Sequence, residues 1–465
     1  MRSSFSKLPL KASKKTATTL SPAVSSSIII PSDIILEIAK WLSARDLLRV
    51  SLQSKHIFSL LQSSLYASVK LDHADACRSN LKRFRKRSDL TKWIKVIDLR
   101  LIQRSGWSTN TERGIDEDWA ALMVQQMASE GSLPLLNTFK WQGLESPNNS
   151  LWLALRSGCP LLRVVGTTVG KRTHLIGSDS HLFDFRELEG FHLSTLILER
   201  WEAFRRSDTL PQRLWDMLLS HSPDLEELTL NATVASDDVW ILSPLLKGRW
   251  PKLRRLSIGN LFKEIGDPKN GELFIEFLTA HPTLEEFDSY GNDWLSPSAK
   301  LHDILGNLPH LESLSICVNF IDKQQGSQQN FFERLLKECT NNLQNLAISS
   351  TSPLNLRDLF NAMVQARNLN LSAIYVTRVR NLKLNDTDVK VAIQVAEKLQ
   401  HLKEFVIRDV SNWDHYDQLS GIYRTKTLRR FIILSGGRVR VQENGMGSLG
   451  QKYSKSSMYS LSVTG

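Results

Sequence analysis

The residue types that most often do chemistry are few in this sequence and lie far apart. The four cysteines, Cys77, Cys159, Cys317 and Cys339, form no Cys-x-x-Cys pair and no Cys/His cluster. A zinc site or a disulfide framework needs closely spaced ligands or many half-cystines, so neither is predicted. The cysteines are interpreted as buried free thiols in a reducing compartment.

A glycine pattern that can bind phosphate occurs once, between Gly445 and Gly450. This pattern binds a dinucleotide only inside a βαβ unit of about 30 residues. Only 15 residues follow it in this sequence, and they show no helical period. We therefore predict no phosphate site there.

The elements that would position functional residues are set by a short apolar phrase that recurs along the chain. Its clearest copies begin at Leu225, Leu253 and Leu311, and each has further apolar residues three and five positions later. A proline lies two residues before each copy, where it favours a corner between a helix and a strand. The phrase therefore predicts a short strand whose apolar residues point inward.

Twelve copies of this phrase follow one another, and nine of the eleven spacings between them lie between 26 and 32 residues. A period of this length is the sequence signature of a solenoid. The pattern resembles the leucine-rich repeat family, and Cys159-Pro160-Leu161-Leu162 resembles its cysteine-containing variant. The resemblance implies an α/β solenoid over residues 91–434. The copies begin at Ile94, Leu136, Leu162, Leu188, Leu225, Leu253, Leu284, Leu311, Leu343, Leu371, Leu402 and Leu428.

The middle variable residue of each phrase is predicted to face the concave side of the arc, which repeat proteins use for binding. In this register no paired carboxylates, metal-ligand cluster or nucleophile beside His192 can be identified. We therefore expect a protein-binding surface, with no cofactor and no enzymatic activity. The predicted target-binding residues are Lys140, His192, Thr229, Ser257, Asp288, Ser315, Tyr375 and Val406.

Residues 28–71 differ from the repeats because their apolar residues recur at helical spacing. Ile34, Ile38 and Leu42 begin the pattern after Pro31, and two further short helices follow, the first with Asp46 placed to cap it. Three short helices cannot bury all of these side chains alone. Part of this apolar surface is therefore expected to need a partner.

The stretch from Ile30 to Ser51 resembles an F-box. It opens with Ile30-Pro31, continues with an acidic and aliphatic helix, and places Asp46-Leu47-Leu48 before Val50-Ser51. Further on, Ser54-Lys55-His56-Ile57 stands where the family usually has Cys-x-x-Trp. The adaptor-binding residues that the resemblance implies are Ile30, Pro31, Ile34, Ile35, Ile38, Leu42, Leu47, Leu48 and Val50.

Together the two resemblances imply a substrate-recognition subunit of an SCF-type (Skp–cullin–F-box) ubiquitin ligase. The F-box would bind the Skp-family adaptor and, through it, a cullin, while the repeats would hold a target protein of unknown identity. Such a subunit acts by proximity, because it raises the effective concentration of the target near a charged ubiquitin carrier.

Two alternatives stay open. The N-terminal helices could only cap the end of the solenoid, which repeat proteins need for solubility; the chain would then be an interaction scaffold unrelated to ubiquitin. The net charge of +11 comes entirely from two basic runs, residues 1–32 and 78–88, which could bind nucleic acid. Nucleic acid is the weaker alternative, since Phe84 is the one aromatic within the second run.

The other boundaries follow from composition. Residues 1–27 are predicted to be a disordered tail, with a mitochondrial transit peptide as the alternative. Residues 72–90 are predicted to be a basic connector with a solvated face. Residues 435–465 lose the period and are predicted to be a C-terminal tail, which could cover the apolar end of the concave face. No apolar run is long enough to span a membrane, so the cytoplasm or the nucleus is expected.

Overall fold

The chain divides into two compact units, residues 1–61 and residues 62–465, and each is described by itself. Among the described residues, no helix is both long enough and apolar enough to cross a membrane. The computed structural model describes residues 30–72, 74–101, 117–143, 145–169, 179–195, 210–232, 243–259, 268–289, 305–318, 328–338, 342–350, 354–366, 369–377, 386–410, 430–435 and 438–443.

The first unit contains helix α1 (Ser32–Ala39), helix α2 (Ala44–Ser51) and the beginning of helix α3 (Lys55–Tyr66). The sequence predicted that Asp46 would cap α2, but the capping residue is Ser43. The Ser43 hydroxyl accepts a hydrogen bond from the backbone N–H of Asp46 and donates one to the Asp46 carboxylate at 2.7 Å. Ser43 thereby satisfies one of the free N–H groups at the start of the helix.

The described part of the second unit contains one sheet of fourteen strands, in which neighbours in sequence are neighbours in space. Strands β1 to β13 pair in parallel, and β14 is antiparallel to β13. This order confirms the predicted α/β solenoid. The strands are β1 Ser68–Leu71, β2 Val96–Arg100, β3 Thr138–Gln142, β4 Val164–Val169, β5 Gly190–Thr195, β6 Glu227–Ala232, β7 Arg255–Gly259, β8 Glu286–Ser289, β9 Ser313–Val318, β10 Asn345–Ser350, β11 Ala373–Thr377, β12 Glu404–Val410, β13 Arg430–Ser435 and β14 Arg438–Glu443.

Helices connect many of the consecutive strands, as the parallel order requires. Two short 3₁₀ helices, His181–Asp184 and Leu245–Lys247, take this place before β5 and β7. The α-helices in the described part of this unit are α4 Ala74–Lys86, α5 Ser88–Thr91, α6 Glu117–Ser129, α7 Asn149–Gly158, α8 Gln212–Ser220, α9 Pro268–Thr279, α10 Gln328–Glu338, α11 Leu356–Gln365 and α12 Asp386–Lys398.

The apolar residues of the repeat phrase form the core of the second unit. In the copy that begins at Leu225, the side chains of Leu225, Leu228 and Leu230 have no exposed surface. Burying one leucine side chain fully contributes about 1.5–3 kcal/mol. Aromatic side chains pack between consecutive repeats. The ring of Trp152 contacts Phe139 and Phe185 edge to face, with distances between ring centroids of 5.9 Å and 6.4 Å.

The sheet extends beyond the range predicted for the repeats at both ends. β1 lies inside the range 28–71 that was predicted as the F-box, and it pairs with β2. β14 lies inside the predicted tail 435–465, whose residues 444–465 are outside the described part of the chain. β1 carries a variant of the phrase with Tyr66 in the first position, followed by Val69 and Leu71, whereas β14 carries no copy.

The predicted basic connector 72–90 is mostly helical. The side chains of Cys77, Leu81 and Phe84 on α4 are buried in the core, and they follow the spacing of one helical face. The cations of this helix lie on its exposed side, as expected of a solvated face.

Candidate functional site

One row of residues crosses the sheet and contains every predicted target-binding position; we call it the central row. The pairing register places Lys140 beside Gly166, Gly166 beside His192, and His192 beside Thr229. Equivalent residues meet in this way because parallel strands lie about 4.8 Å apart in the same register. The predicted register is therefore present, while the binding role remains a prediction. The row continues through Ser257, Asp288, Ser315, Ala347, Tyr375, Val406 and Ile432.

His192 lies in a polar cluster on the central row. Its Nδ1 atom is 2.9 Å from the Thr229 hydroxyl, and its Nε2 atom is 3.2 Å from a Glu227 carboxylate oxygen without alignment for a hydrogen bond. Burial, together with the charges of Lys140 and Arg255, lowers the pKa of His192 to about 3. The Asp98 carboxylate opposes this shift, and the Glu227 carboxylate is paired with Arg255. His192 is therefore neutral at pH 7 and is not tuned for general acid–base catalysis.

Other polar side chains of the row bond to residues on neighbouring strands. The Ser257 hydroxyl accepts a hydrogen bond from the Asn231 amide at 3.0 Å and donates one to the Asp288 carboxylate at 3.1 Å. The Tyr375 hydroxyl donates to Glu404 at 2.8 Å. These bonds hold the side chains in fixed positions, and such preorganisation would lower the entropy cost of binding a partner.

Lys140 differs from these residues. Its side chain is half-buried, and no hydrogen bond or ion pair joins it to another residue in the described part of the chain. Burial is the main cause that lowers the pKa of Lys140; the nearby Asp98 carboxylate raises it, and the cations Arg255, Lys70 and Arg100 lower it further.

Val406 is a correction to the predicted binding surface. Its side chain is only 2% exposed, so it is not available to a partner. Phe405, Val406 and Ile407 are all buried, which means that both faces of β12 are covered. Alternation along a strand predicts which face a residue takes but not whether another segment covers that face. The other seven predicted residues are half-buried.

The first unit leaves large apolar side chains exposed. Of the predicted adaptor-binding residues, Ile30, Ile34, Ile38 and Leu48 are 47–50% exposed, and Pro31 is exposed as well. The half-buried members of the set are Ile35, Leu42 and Val50.

Leu47 is a correction to this set, because it is 6% exposed. Adjacent residues of a helix point about 100° apart, so Leu47 packs inward where Leu48 points outward. Sequence reasoning also missed exposed apolar residues that are not in the predicted adaptor-binding set. The larger of these are Trp41, 84% exposed, and Leu52, 71% exposed.

The structure offers no sign of metal or thiol chemistry in the described residues. They contain no group of three His, Cys, Asp or Glu side chains that could hold a metal ion. Cys77, Cys159 and Cys317 are free and buried, and Cys339 lies outside the described residues. Burial raises the pKa of Cys77 to about 11 and that of Cys159 to about 12, so these thiols are weak nucleophiles.

The fold is an α/β solenoid with a polar row along its sheet. No family model matches the sequence, and no curated protein matches it.

Solved structures with similar folds include a chain from the crystal structure of the Rad7 and Elc1 complex in yeast. It is 16% identical, the match covers 89% of this chain and 93% of that chain, and the TM-score is 0.49. A protein from Bacteroides fragilis is 16% identical over 48% of this chain and 68% of that chain, with a TM-score of 0.31. The leucine-rich repeat-containing protein LegL7 from Legionella pneumophila is 13% identical over 48% of this chain and 79% of that chain, with a TM-score of 0.29.

Proposed function

We propose that this protein is the substrate-recognition subunit of an SCF-type ubiquitin ligase. The first unit would act as an F-box that binds a Skp-family adaptor, and the repeats would bind the target protein. The observation that carries the proposal is the exposed apolar set on α1 and α2, which lies at positions that the F-box resemblance assigns to the adaptor.

The spacing of these residues supports a docking role. Ile34, Ile38 and Trp41 follow one another at intervals of four and three residues, so they lie on one side of α1 and its following turn. A helix of a soluble protein normally buries such a stripe. Because all three side chains are exposed, covering them would contribute about 25 cal/mol for each Å² removed from water.

The protein itself would carry out no bond chemistry in this role. The adaptor would connect it to a cullin, and the central row would hold the target protein within reach of a charged ubiquitin carrier. The rate gain would come from effective concentration. The assembly would work in the cytoplasm or the nucleus.

Co-purification of the full chain with a Skp-family adaptor tests the proposal. The test variant is Ile38→Asp with Leu48→Asp, since both side chains are exposed and the changes should leave folding intact. The matched control is Leu122→Asp with Leu153→Asp, which places the same charges at leucines that are 43% and 47% exposed on α6 and α7. We expect the test variant to lose the adaptor and the control to keep it.

Equal recovery of the adaptor with both variants would reject the F-box role. The same result would favour the alternative of an interaction scaffold, because a scaffold needs its repeats but no adaptor. Capture of no adaptor by the unchanged protein would reject the role in the same way.

A further inference from the structure

Three neighbouring residues of the central row define a small candidate binding site. Lys140, Gly166 and His192 lie side by side on β3, β4 and β5. A Cβ atom added to Gly166 would lie 3.2 Å from Cγ of Lys140 and 3.3 Å from Cβ of His192. Both distances are shorter than ordinary van der Waals contact. Glycine at this position therefore leaves room for the side chain of Lys140 to lean over β4.

The charges around Lys140 are already paired with other groups. The Asp98 carboxylate is bonded to the Arg100 guanidinium at 2.9 Å, and the Gln142 amide lies 3.5 Å from its other oxygen. Glu227 is paired with Arg255. The Asp98 carboxylate attracts the half-buried Lys140 ammonium, but no described residue forms a hydrogen bond or an ion pair with it.

An ammonium group that has lost part of its water and forms no direct ion pair is unfavourable. The lowered pKa of Lys140 reflects the same burial. A negative group brought by a partner would restore the missing interaction, and charge-assisted hydrogen bonds are about twice as strong as neutral ones.

We propose that Lys140, leaning over Gly166 beside His192, binds an anionic side chain of the target protein. The anion is a carboxylate or a phosphorylated hydroxyl, which share the same chemistry. This inference rests on the proposed function, because it assumes that the central row holds the target.

Short peptide pools that differ only at a central position test this inference. The central residue is Asp, Glu or phosphoserine in the anionic pools, and Asn, Gln or Ser in the matched neutral pools. Binding to the full chain is measured by fluorescence anisotropy. We expect at least one anionic pool to bind about tenfold more tightly than its neutral counterpart, which corresponds to about 1.4 kcal/mol.

Four variants localise the effect. Lys140→Met keeps the aliphatic stem and should abolish the preference, whereas Lys140→Arg should retain it. Gly166→Ala should weaken it without a change of charge, because the new methyl group displaces the Lys140 stem. Lys70→Met is the matched control, since Lys70 is an exposed lysine aligned with Asp98 on the same row, and it should retain the preference.

The anionic pools also separate the two sources of charge. Preference for phosphoserine alone would identify a phosphorylated target, and preference for Asp or Glu would identify an acidic one. The inference is overturned if no pool is preferred, or if the preference survives in Lys140→Met.

Adaptor recovery, measured on the same preparations, keeps the two proposals apart. Lys140→Met should recover the adaptor as the unchanged protein does. If the unchanged protein does not bind the adaptor but still prefers the anionic peptides, only the ligase role is rejected. Normal adaptor binding without an anionic preference would reject only the Lys140 site.

Discussion

The Nε2 atom of His281 accepts a hydrogen bond from the backbone N–H of Trp250 at 3.0 Å. The Nδ1 atom of the same ring donates to the backbone carbonyl of Phe277 at 2.7 Å, so the neutral tautomer carries its proton on Nδ1. The indole N–H of Trp250 donates to the carbonyl of Leu218 at 3.1 Å. Trp250 is therefore bonded to the repeat before it and to the repeat after it.

Replacing His281 with phenylalanine should destabilise the protein. The change keeps a ring in the fully buried site but leaves the backbone N–H of Trp250 without its acceptor. An unsatisfied buried donor costs about 1–3 kcal/mol, and urea unfolding followed by circular dichroism measures the change. His310→Phe is the control, because His310 is exposed. Equal unfolding midpoints for the two variants would contradict a stabilising role for this bond.

His281 should also make the stability depend on pH. Burial lowers the pKa of His281 in the folded state, so below about pH 6.5 the unfolded chain binds more protons than the folded one. The stabilisation is therefore complete above the unfolded pKa and is lost as the pH falls, by at most about 1.4 kcal/mol per pH unit. His192 contributes with the same sign, so the measurement is the difference between the unchanged protein and His281→Phe from pH 7 to pH 5. This difference should shrink as the pH falls; a constant difference would contradict the assignment.

Two apolar residues of the first unit, one buried and one exposed, should differ in their effect on stability. Leu47→Ala removes a buried side chain and should lower the free energy of unfolding by about 2–5 kcal/mol. Trp41→Ala removes an exposed one and should change stability by less than about 0.5 kcal/mol, while it reduces adaptor recovery. Thermal unfolding and adaptor co-purification measure the two effects. A large loss of stability in Trp41→Ala would show that the indole packs inside the protein.

Gly158 should not tolerate a side chain. A Cβ atom at this position, at the end of α7, would lie only 2.0 Å from the carbonyl oxygen of Ala128 in α6. Because that neighbour is backbone, Gly158→Ala must move the two helices apart, at a cost of about 3 kcal/mol. Gly131→Ala is the control, because no atom lies within 4 Å of the added Cβ atom. Its φ of +66° disfavours alanine, and this strain should lower the free energy of unfolding by about 1–2 kcal/mol. Urea unfolding should rank Gly158→Ala as the less stable of the two.

Part of this architecture was readable from the spacing of apolar residues alone. The phrase beginning at Leu225 and its equivalents predicted the strands and their order, because a fixed period leaves each repeat only its neighbours to pack on. The same alternation predicted that Lys140, His192 and Thr229 would share one row. These features depend on local pattern, which a sequence carries directly.

Only the tertiary structure decided which of these residues are covered and which are paired. Val406 and Leu47 fit their patterns and are nevertheless buried, and β1 and β14 join the sheet outside the range predicted for the repeats. The acceptor for Trp250 and the charges that surround Lys140 likewise depend on side chains from other repeats. Burial and hydrogen bonding are set by groups that folding brings together from distant parts of the chain, and for that reason periodicity predicted the framework but not the environment of each side chain.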